Sequence, residues 1–361
     1  MSEVSSIRYD MGFMGRLIRS LPVILFYLGI AVVLGAFLPT DAKEFNLQNF
    51  AALGLIGLWR YLWLLTHYVR AMIFEHFTYG KLCFESRRLA PEEKFPGQVF
   101  FIIPTFQEKP DVSRRMLQSV ISEARSITSR VVVLVNAGSD EEDDLFRQVI
   151  GEAPDSKIEL MFVRQIGGKR KGMADALYEL RQSDYKIAEE DVIILMDGDT
   201  LLGKGVLEKS LPFFATNPRL GAVTTDNIAV SSGDSLYRKW YTLRFAMRHR
   251  MMKSISLSRQ LLVLTGRFSV FRAAWVLTDD FIAHVENDRI AHWLHGEIKF
   301  ITGDDKSTWY SLLKEGWEML YVADAHIFCM EDSGPLPFRQ SILKMKRWFG
   351  NMLRNNGRAI R

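Results

Sequence analysis

The sequence predicts an α/β domain built on a largely parallel sheet and preceded by membrane-spanning helices. Three observations carry this expectation. From about residue 96 onward, short apolar runs alternate with helical stretches. The runs are apolar at every position, as strands buried on both faces are, rather than at every second one. Ahead of them, Leu21 to Leu38 reads LPVILFYLGIAVVLGAFL and carries no charge.

Eighteen residues at about 1.5 Å each span roughly 27 Å, close to the thickness of a bilayer's hydrocarbon core. A second apolar segment runs from about Leu47 to Phe74, interrupted by Arg60, His67 and Arg70. Trp59, Tyr61 and Trp63 cluster in it as interface aromatics do. Arg8, Arg16 and Arg19 precede the first segment, and Lys81, Arg87 and Arg88 follow the second. The excess of cations on these two flanks puts the N-terminus and everything after about residue 80 on the cytoplasmic side. The expected organisation is therefore a cytoplasmic N-terminus over 1–20, two transmembrane helices over 21–80 and a cytoplasmic α/β domain over 95–335. An amphipathic helix follows over 336–361, with no further membrane helix after it.

Composition narrows the function classes. The chain has 361 residues, with 46 Lys and Arg against 42 Asp and Glu, a formal net charge of +4. That balance excludes a surface built for nucleic acid, so basic function must be local. Two cysteines, Cys83 and Cys329, with no CxxC spacing, exclude a disulfide framework and a cysteine zinc site.

The strands are expected at Gln98–Pro104, Arg130–Asn136, Ile158–Val163, Asp191–Asp197 and Gly221–Thr225, with helices at about 111–127, 171–187 and 204–214. In open sheets of this kind the ligand sits beyond the carboxyl ends of the strands. Asp197-Gly-Asp199 stands there, directly after VIILM. It reads either as a polar turn or as a site for a divalent cation, since alternate residues of an extended segment face one side. Mg²⁺ takes one or two carboxylates and completes its shell with substrate phosphates.

Thr302-Gly-Asp304-Asp305 follows another short apolar run and precedes a helix. Its carboxylates suit a helix N-terminus, where the dipole favours them, or a general base. Gly167-Gly-Lys169-Arg170-Lys-Gly172 lies between a strand and a helix. It reads as a solvated basic turn, or as a cradle for phosphates or an acidic sugar. Arg267 and Arg272 stand among apolar residues in LTGRFSVFR. Phe338 to Leu353 interleaves apolar residues with Lys344, Lys346 and Arg347. That pattern fits a helix lying in a membrane interface or an ordinary surface helix, and Trp240 to Leu257 resembles it.

Two N-terminal spans followed by DGD, TGR, Val285-Glu-Asn-Asp288, TGDDKS and Lys346-Arg-Trp-Phe-Gly-Asn351, in this order, resemble the membrane-integrated family 2 glycosyltransferases. Cellulose, chitin and hyaluronan synthases belong to this group, and the likeness is strongest to the bacterial mannuronan (alginate) synthase catalytic subunits. It covers roughly residues 20–360. The resemblance implies a GT-A-type, Rossmann-like glycosyltransferase domain with interfacial amphipathic helices. It implies Mg²⁺ or Mn²⁺ on Asp197 and Asp199, and a general base at Asp305 with Asp304 beside it. Lys169 and Arg170 match an element near the donor, and Arg347 and Trp348 match the end of a QxxRW motif that lines the acceptor. Arg267 is placed with the donor-binding residues.

The donor implied is GDP-mannuronate, and the acceptor a growing β-1,4-linked polymannuronate. The implied partners are membrane lipid, a cyclic-di-GMP-binding subunit and an export complex, in the bacterial inner membrane. Three departures stand out. Where many relatives carry DDGS to hold the nucleotide base, this chain reads Val135-Asn136-Ala-Gly-Ser-Asp140, so Asn136 or Asp140 takes that role or the base is held otherwise. Lys344 replaces the glutamine of QxxRW. Relatives continue beyond the position of Arg361 with helices that complete a pore, which makes this chain resemble a truncated product or fragment. Two alternatives stay open: another membrane synthase or lipid-carrier transferase using a different nucleotide sugar, and a non-catalytic subunit of a secretion complex.

Overall fold

The computed structural model describes residues 47–359 apart from 107, 233–234, 293–295, 300–302, 333 and 335, together with Leu25 and Gly29. The chain divides into two compact units, residues 1–64 and 65–361. The expected span Leu21–Leu38 lies outside the described residues except for those two positions.

Helix α1 (Leu47–Ile73) continues through a π-helical turn at Phe74–Thr78 into α2 (Tyr79–Arg87). Then β1 (Gln98–Pro104), α3 (Pro110–Ala124), β2 (Arg130–Ala137), α4 (Asp140–Glu152), β3 (Ile158–Arg164), α5 (Lys169–Gln182) and β4 (Val192–Met196) alternate. Next come β5 (Thr200–Leu202), the short helices α6 (Val206–Ser210) and α7 (Pro212–Thr216), the long strand β6 (Leu220–Ser232) and α8 (Ser235–Ser256). Strand β7 (Phe268–Arg272) leads through α9 (Ala273–Val276) and α10 (Asp279–Asn287) to a hairpin of β8 (Arg289–His292) and β9 (Gly296–Lys299). Helix α11 (Asp304–Lys314), β10 (Glu318–Asp332) and α12 (Pro337–Ala359) follow.

Among the described residues no helix is long and apolar enough to cross a membrane. The segment expected to form the second span is one continuous helix, but Arg60 and Arg70 break its apolar run. From residue 65 onward α1 is tied by polar contacts to α8 and the segment after it. His67 Nδ1 lies 2.7 Å from Ser254 Oγ, and Arg70 donates to Ser254 O and Ser258 Oγ at 3.0 and 2.6 Å.

Among the described residues the main sheet has eight strands in the order β3-β2-β1-β4-β7-β6-β10-β5. Its first half is parallel, as the apolar runs predict. The second half is mixed, because β7 runs antiparallel to both β4 and β6. The reason is the segment 257–267. It climbs from Arg259, whose carbonyl accepts from Met319 N, to Gly266 beside Asp197, so the chain must come back down through β7. The result is a mixed α/β fold of GT-A type.

Both faces of the sheet are covered. Val99, Phe101 and Ile103 of β1 pack under α3, while Phe100 and Ile102 pack with Met173 and Leu177 of α5. All five β1 residues are fully buried. At about 25 cal/mol per Å² of apolar area, such layers supply most of the drive to fold. Helix α4 is fixed by two side-chain caps at its start. Ser139 Oγ accepts from Glu142 N, and Glu142 reaches back to Gly138 N at 2.7 Å.

Helices α8 and α12 both pack on the domain rather than lying free. Tyr237, Tyr241, Phe245 and Met252 of α8 are buried, as are Asn351 and Asn355 of α12. Their outer faces keep apolar side chains exposed: Leu236, Leu243 and Met247 on α8, and Phe338, Leu343, Phe349 and Leu353 on α12.

Candidate active site

The end of β4 and the starts of α5 and α11 converge at the centre. Beyond β4, Asp197 accepts from Lys169 Nζ at 2.6 Å. The same ammonium lies 2.7 Å from Asp304 Oδ2, at the start of α11. Lys169 is the first residue of α5, so a cation from the basic turn bridges the two acidic motifs. Burial alone would lower the lysine pKa, but the two carboxylates raise it. Lys169, Asp197, Gly266, Asp304 and Asp305 line a cavity of about 10 Å³, room for roughly one water molecule.

The two carboxylates of α11 differ in kind. Burial would raise Asp304, but the charge of Lys169 lowers its pKa and keeps it ionised. Among the described residues Asp305 forms no ion pair, and the charges of Lys306 and Lys169 only partly offset its surroundings. Burial and then the charge of Asp304 push it up to about 6. Its Oδ1 accepts from Lys306 N at 2.9 Å. Lys306 is itself buried, donating Nζ to Leu262 O and lying 4.6 Å over the Trp309 ring; burial lowers its pKa to about 8.

The start of α11 depends on Gly303, which has φ +89°, a left-handed conformation that side chains disfavour. A Cβ there would also stand 2.8 Å from Asn351 Nδ2 of α12. The glycine thus sets both the turn into Asp304-Asp305 and the approach of α12.

Asp197 and Asp199 flank Gly198, and Glu108, beyond β1, is near enough that their charges add to burial in raising its pKa. This concentration of negative charge fits a divalent cation that completes its shell with diphosphate oxygens. Among the described residues no group of three His, Cys, Asp or Glu side chains is arranged as a self-sufficient metal site. Beside it, a second cavity of about 270 Å³ is lined by Phe106, Glu108, Ser113, Gly138, Glu141 and Glu142 at the ends of β1 and β2.

Two residues expected near the donor are turned into the protein. Asn136 is fully buried, and its Nδ2 donates to Val163 O at 3.0 Å. Gly172 lets α5 approach this amide: a Cβ there would run into Asn136 Oδ1. The close approach that the glycine permits is therefore internal. Arg170 is also buried, donating to Val285 O at 2.8 Å and Ser307 Oγ at 2.6 Å. Ser307 in turn donates to the buried Asp288. Arg170 thus braces α10 against α11 from within, and through α11 it positions Asp304 and Asp305.

Arg267 connects the centre to an aromatic platform. A Cβ on its neighbour Gly266 would stand 3.3 Å from Asp304 Oδ2, while Arg267 Nη2 donates to Tyr241 OH at 3.3 Å. Tyr241 packs on Trp348 at 6.0 Å between ring centres, and Trp348 lies parallel to Trp240 at 6.4 Å and 5°. Lys344 stands 5.1 Å over the Tyr241 ring. Arg347, next to Trp348, is exposed. The structure thus groups Asp197, Lys169, Asp304 and Asp305 tightly, with Asp199 beside them and Trp348 one helical turn before Asn351. Glu108 escaped the sequence reading, and Gly303, Asn351 and Trp240 stood in its motifs and segments with no role of their own. Only Glu108 carried a local signal, an acid just past the end of an apolar strand.

The model of Glycosyltransferase like family 2 matches residues 96–351. The chain is 37% identical over 340 residues to glycosyltransferase alg8 of Pseudomonas syringae pv. tomato, covering 93% of this chain and 68% of that protein. It is 36% identical over 343 residues to glycosyltransferase alg8 of Azotobacter vinelandii, with the same coverage of 93% and 68%. Among solved structures, a Pyrobaculum calidifontis mannosyltransferase in complex with GDP-Man and Mn²⁺ is 18% identical, with a TM-score of 0.49, covering 81% of this chain and 76% of that one. The chain belongs to the family 2 glycosyltransferases and is an enzyme of that class.

Proposed function

We propose that the chain is an inverting, processive glycosyltransferase of alginate-type exopolysaccharide synthesis. It transfers mannuronate from GDP-mannuronate to the end of a growing β-1,4-linked polymannuronate. The observation that carries the chemical step is the contrast between Asp304, held ionised by Lys169, and Asp305, pushed up to about 6 beside it. A carboxylate with a raised pKa is a stronger base, suited to take a proton near neutral pH. Asp305 accepts the proton of the acceptor 4-hydroxyl as that oxygen attacks the anomeric carbon. GDP leaves from the opposite face, which inverts the configuration.

A divalent cation, Mg²⁺ or Mn²⁺, held by Asp197 and Asp199, supplies charge neutralisation for the departing diphosphate. Lys169, already shared between Asp197 and Asp304, adds a second positive charge at the same place. Trp348 and Arg347 face the acceptor end. The two relatives named glycosyltransferase alg8 support the polymer assignment. The exposed apolar residues of α8 and α12 support contact with membrane lipid. A cyclic-di-GMP-binding subunit and an export complex complete the proposed setting at the inner membrane.

The test is GDP release from GDP-mannuronate by membranes containing the chain, with and without partner proteins, against an Asp305→Asn control. Metal-dependent release that vanishes in the variant is the expected result. Near-normal polymer synthesis by Asp305→Asn removes the base from its role, and release from UDP-sugars alone replaces the donor.

A further inference from the structure

We infer that Arg244 and Arg248 of α8 form an anion-selecting acceptor subsite that reads the carboxylates of an acidic sugar chain. The inference rests on the acceptor side of the reading above and deepens it by naming what recognises the acid.

Arg244 and Arg248 lie one helical turn apart, so their side chains share a face of α8. Both are partly buried. Among the described residues neither forms an ion pair, whereas Lys169, Lys171, Arg181 and Lys253 all do. The Arg244 guanidinium lies 5.9 Å over the Trp348 ring and 5.3 Å over the Phe349 ring, and its buried Nε has no hydrogen-bond partner. Arg248 lies 4.6 Å over the Phe245 ring. With the Asn227 amide oriented to present its oxygen, Arg248 donates to it at 3.0 Å. The adjacent carboxylate, Asp226, is taken by His249 Nε2 at 2.5 Å.

A guanidinium cannot shed its proton in a protein, so partial burial without a carboxylate is unfavourable unless an anion arrives. The pair also stands beside the chemistry. Arg267 and Cys329 lie within electrostatic reach of Arg248, and Cys329 pairs across the sheet with Thr200, next to Asp199. Trp240, Trp348 and Tyr241 supply flat apolar faces at the same place. Stacking faces with planar, two-pronged cations match a sugar ring that carries a carboxylate, and match neither a neutral sugar nor a bare phosphate as well.

The experiment uses the full chain in detergent-solubilised membranes and two acceptors of equal length, a β-1,4-linked mannuronate tetrasaccharide and the neutral β-1,4-linked mannose tetrasaccharide. Binding is measured by calorimetry. The acidic tetrasaccharide is expected to bind at least about tenfold more tightly at low ionic strength, with the preference shrinking as salt is raised. Arg244→Gln and Arg248→Gln are each expected to reduce the preference several-fold, and Arg244→Lys, which keeps the charge but not the fork, to retain part of it. Equal binding of the two acceptors, or no binding of either, overturns the inference without recourse to a variant. So does a preference that persists in both folded Gln variants. Loss of binding to vesicles of anionic lipid, with the sugar preference intact, assigns the arginines to the membrane and overturns it too. GDP release from GDP-mannuronate by the same preparation separates the two readings. Release without charge preference removes the subsite alone, and charge preference without release removes the donor assignment alone.

Discussion

The acidic centre and the aromatic platform of this domain handle charge in opposite ways. At the centre, Lys169 sits between Asp197 and Asp304, so the polar groups largely satisfy one another before any ligand binds. On the platform, Arg244 and Arg248 rest against aromatic rings with no carboxylate among the described residues. The difference separates two tasks. A self-neutralised centre is preorganised for chemistry, because its side chains are held before the substrate arrives. A platform with unmatched cations is poised for capture, because the anion it needs comes with the substrate.

The sharpest way to break this comparison is to remove the proposed base. Asp305→Asn is expected to lower turnover by at least about a thousandfold while donor binding stays within a few-fold, as loss of a positioned proton acceptor does. Single-turnover GDP release and nucleotide titration check the two halves. Next, Lys169→Met leaves Asp197 and Asp304 facing each other without the shared cation. A loss of about a hundredfold in kcat/KM is expected, from misplaced carboxylates and weaker diphosphate binding. Unchanged kinetics would mean that the bridge does not persist in the working enzyme.

The pH profile refines the picture. Asp305 is raised, so it is protonated and unable to accept a proton below about 6. Activity should therefore fall about tenfold per unit as pH drops below that value and level off above it. Asp304→Asn removes the neighbouring charge that helps raise Asp305, so the acidic limb should move to lower pH even as the rate drops. Gly303→Ala tests the scaffold instead. With φ at +89° and Asn351 Nδ2 2.8 Å from the new methyl, a destabilisation of about 1–3 kcal/mol is expected in denaturant melts. Smallest is Trp240→Phe, which trims one face of the platform. It should weaken acceptor binding by only about two- to fivefold, with donor hydrolysis unchanged.

Much of the architecture was legible before folding. The runs at Gln98–Pro104 and Arg130–Asn136 become β1 and β2, and VIILM becomes β4, because continuous apolarity over five to seven residues has few other outlets. DGD and TGDD were legible as strand-end and helix-start acids, and α11 does begin at Asp304. Here the capping and the chemical readings are compatible, since the same geometry brings both carboxylates to the wall of the central cavity. What was not legible depends on contacts distant in sequence. Arg170 and Lys169 are neighbours in one basic turn, yet one enters the core to meet Val285 and Ser307 while the other faces the carboxylates. Their separation follows from the helical rotation of about 100° per residue, once α5 is anchored on β2 through Gly172. The reversal of β7 was likewise hidden, because its direction is set by the path of segment 257–267 rather than by its own five residues.

The contact between Gly303 and Asn351 has a mechanical consequence. Helix α12 presents Phe349 and Leu353 outward, while Asn351, between them in sequence, lies against the residue that precedes Asp304 and Asp305. A load applied to the outer surface of this helix has a short lever to the proposed proton acceptor, Asp305. Tilting α12 by a few degrees would slide Asn351 against a glycine with no side chain to cushion it, and the rate of bond making would register what the helix is resting on.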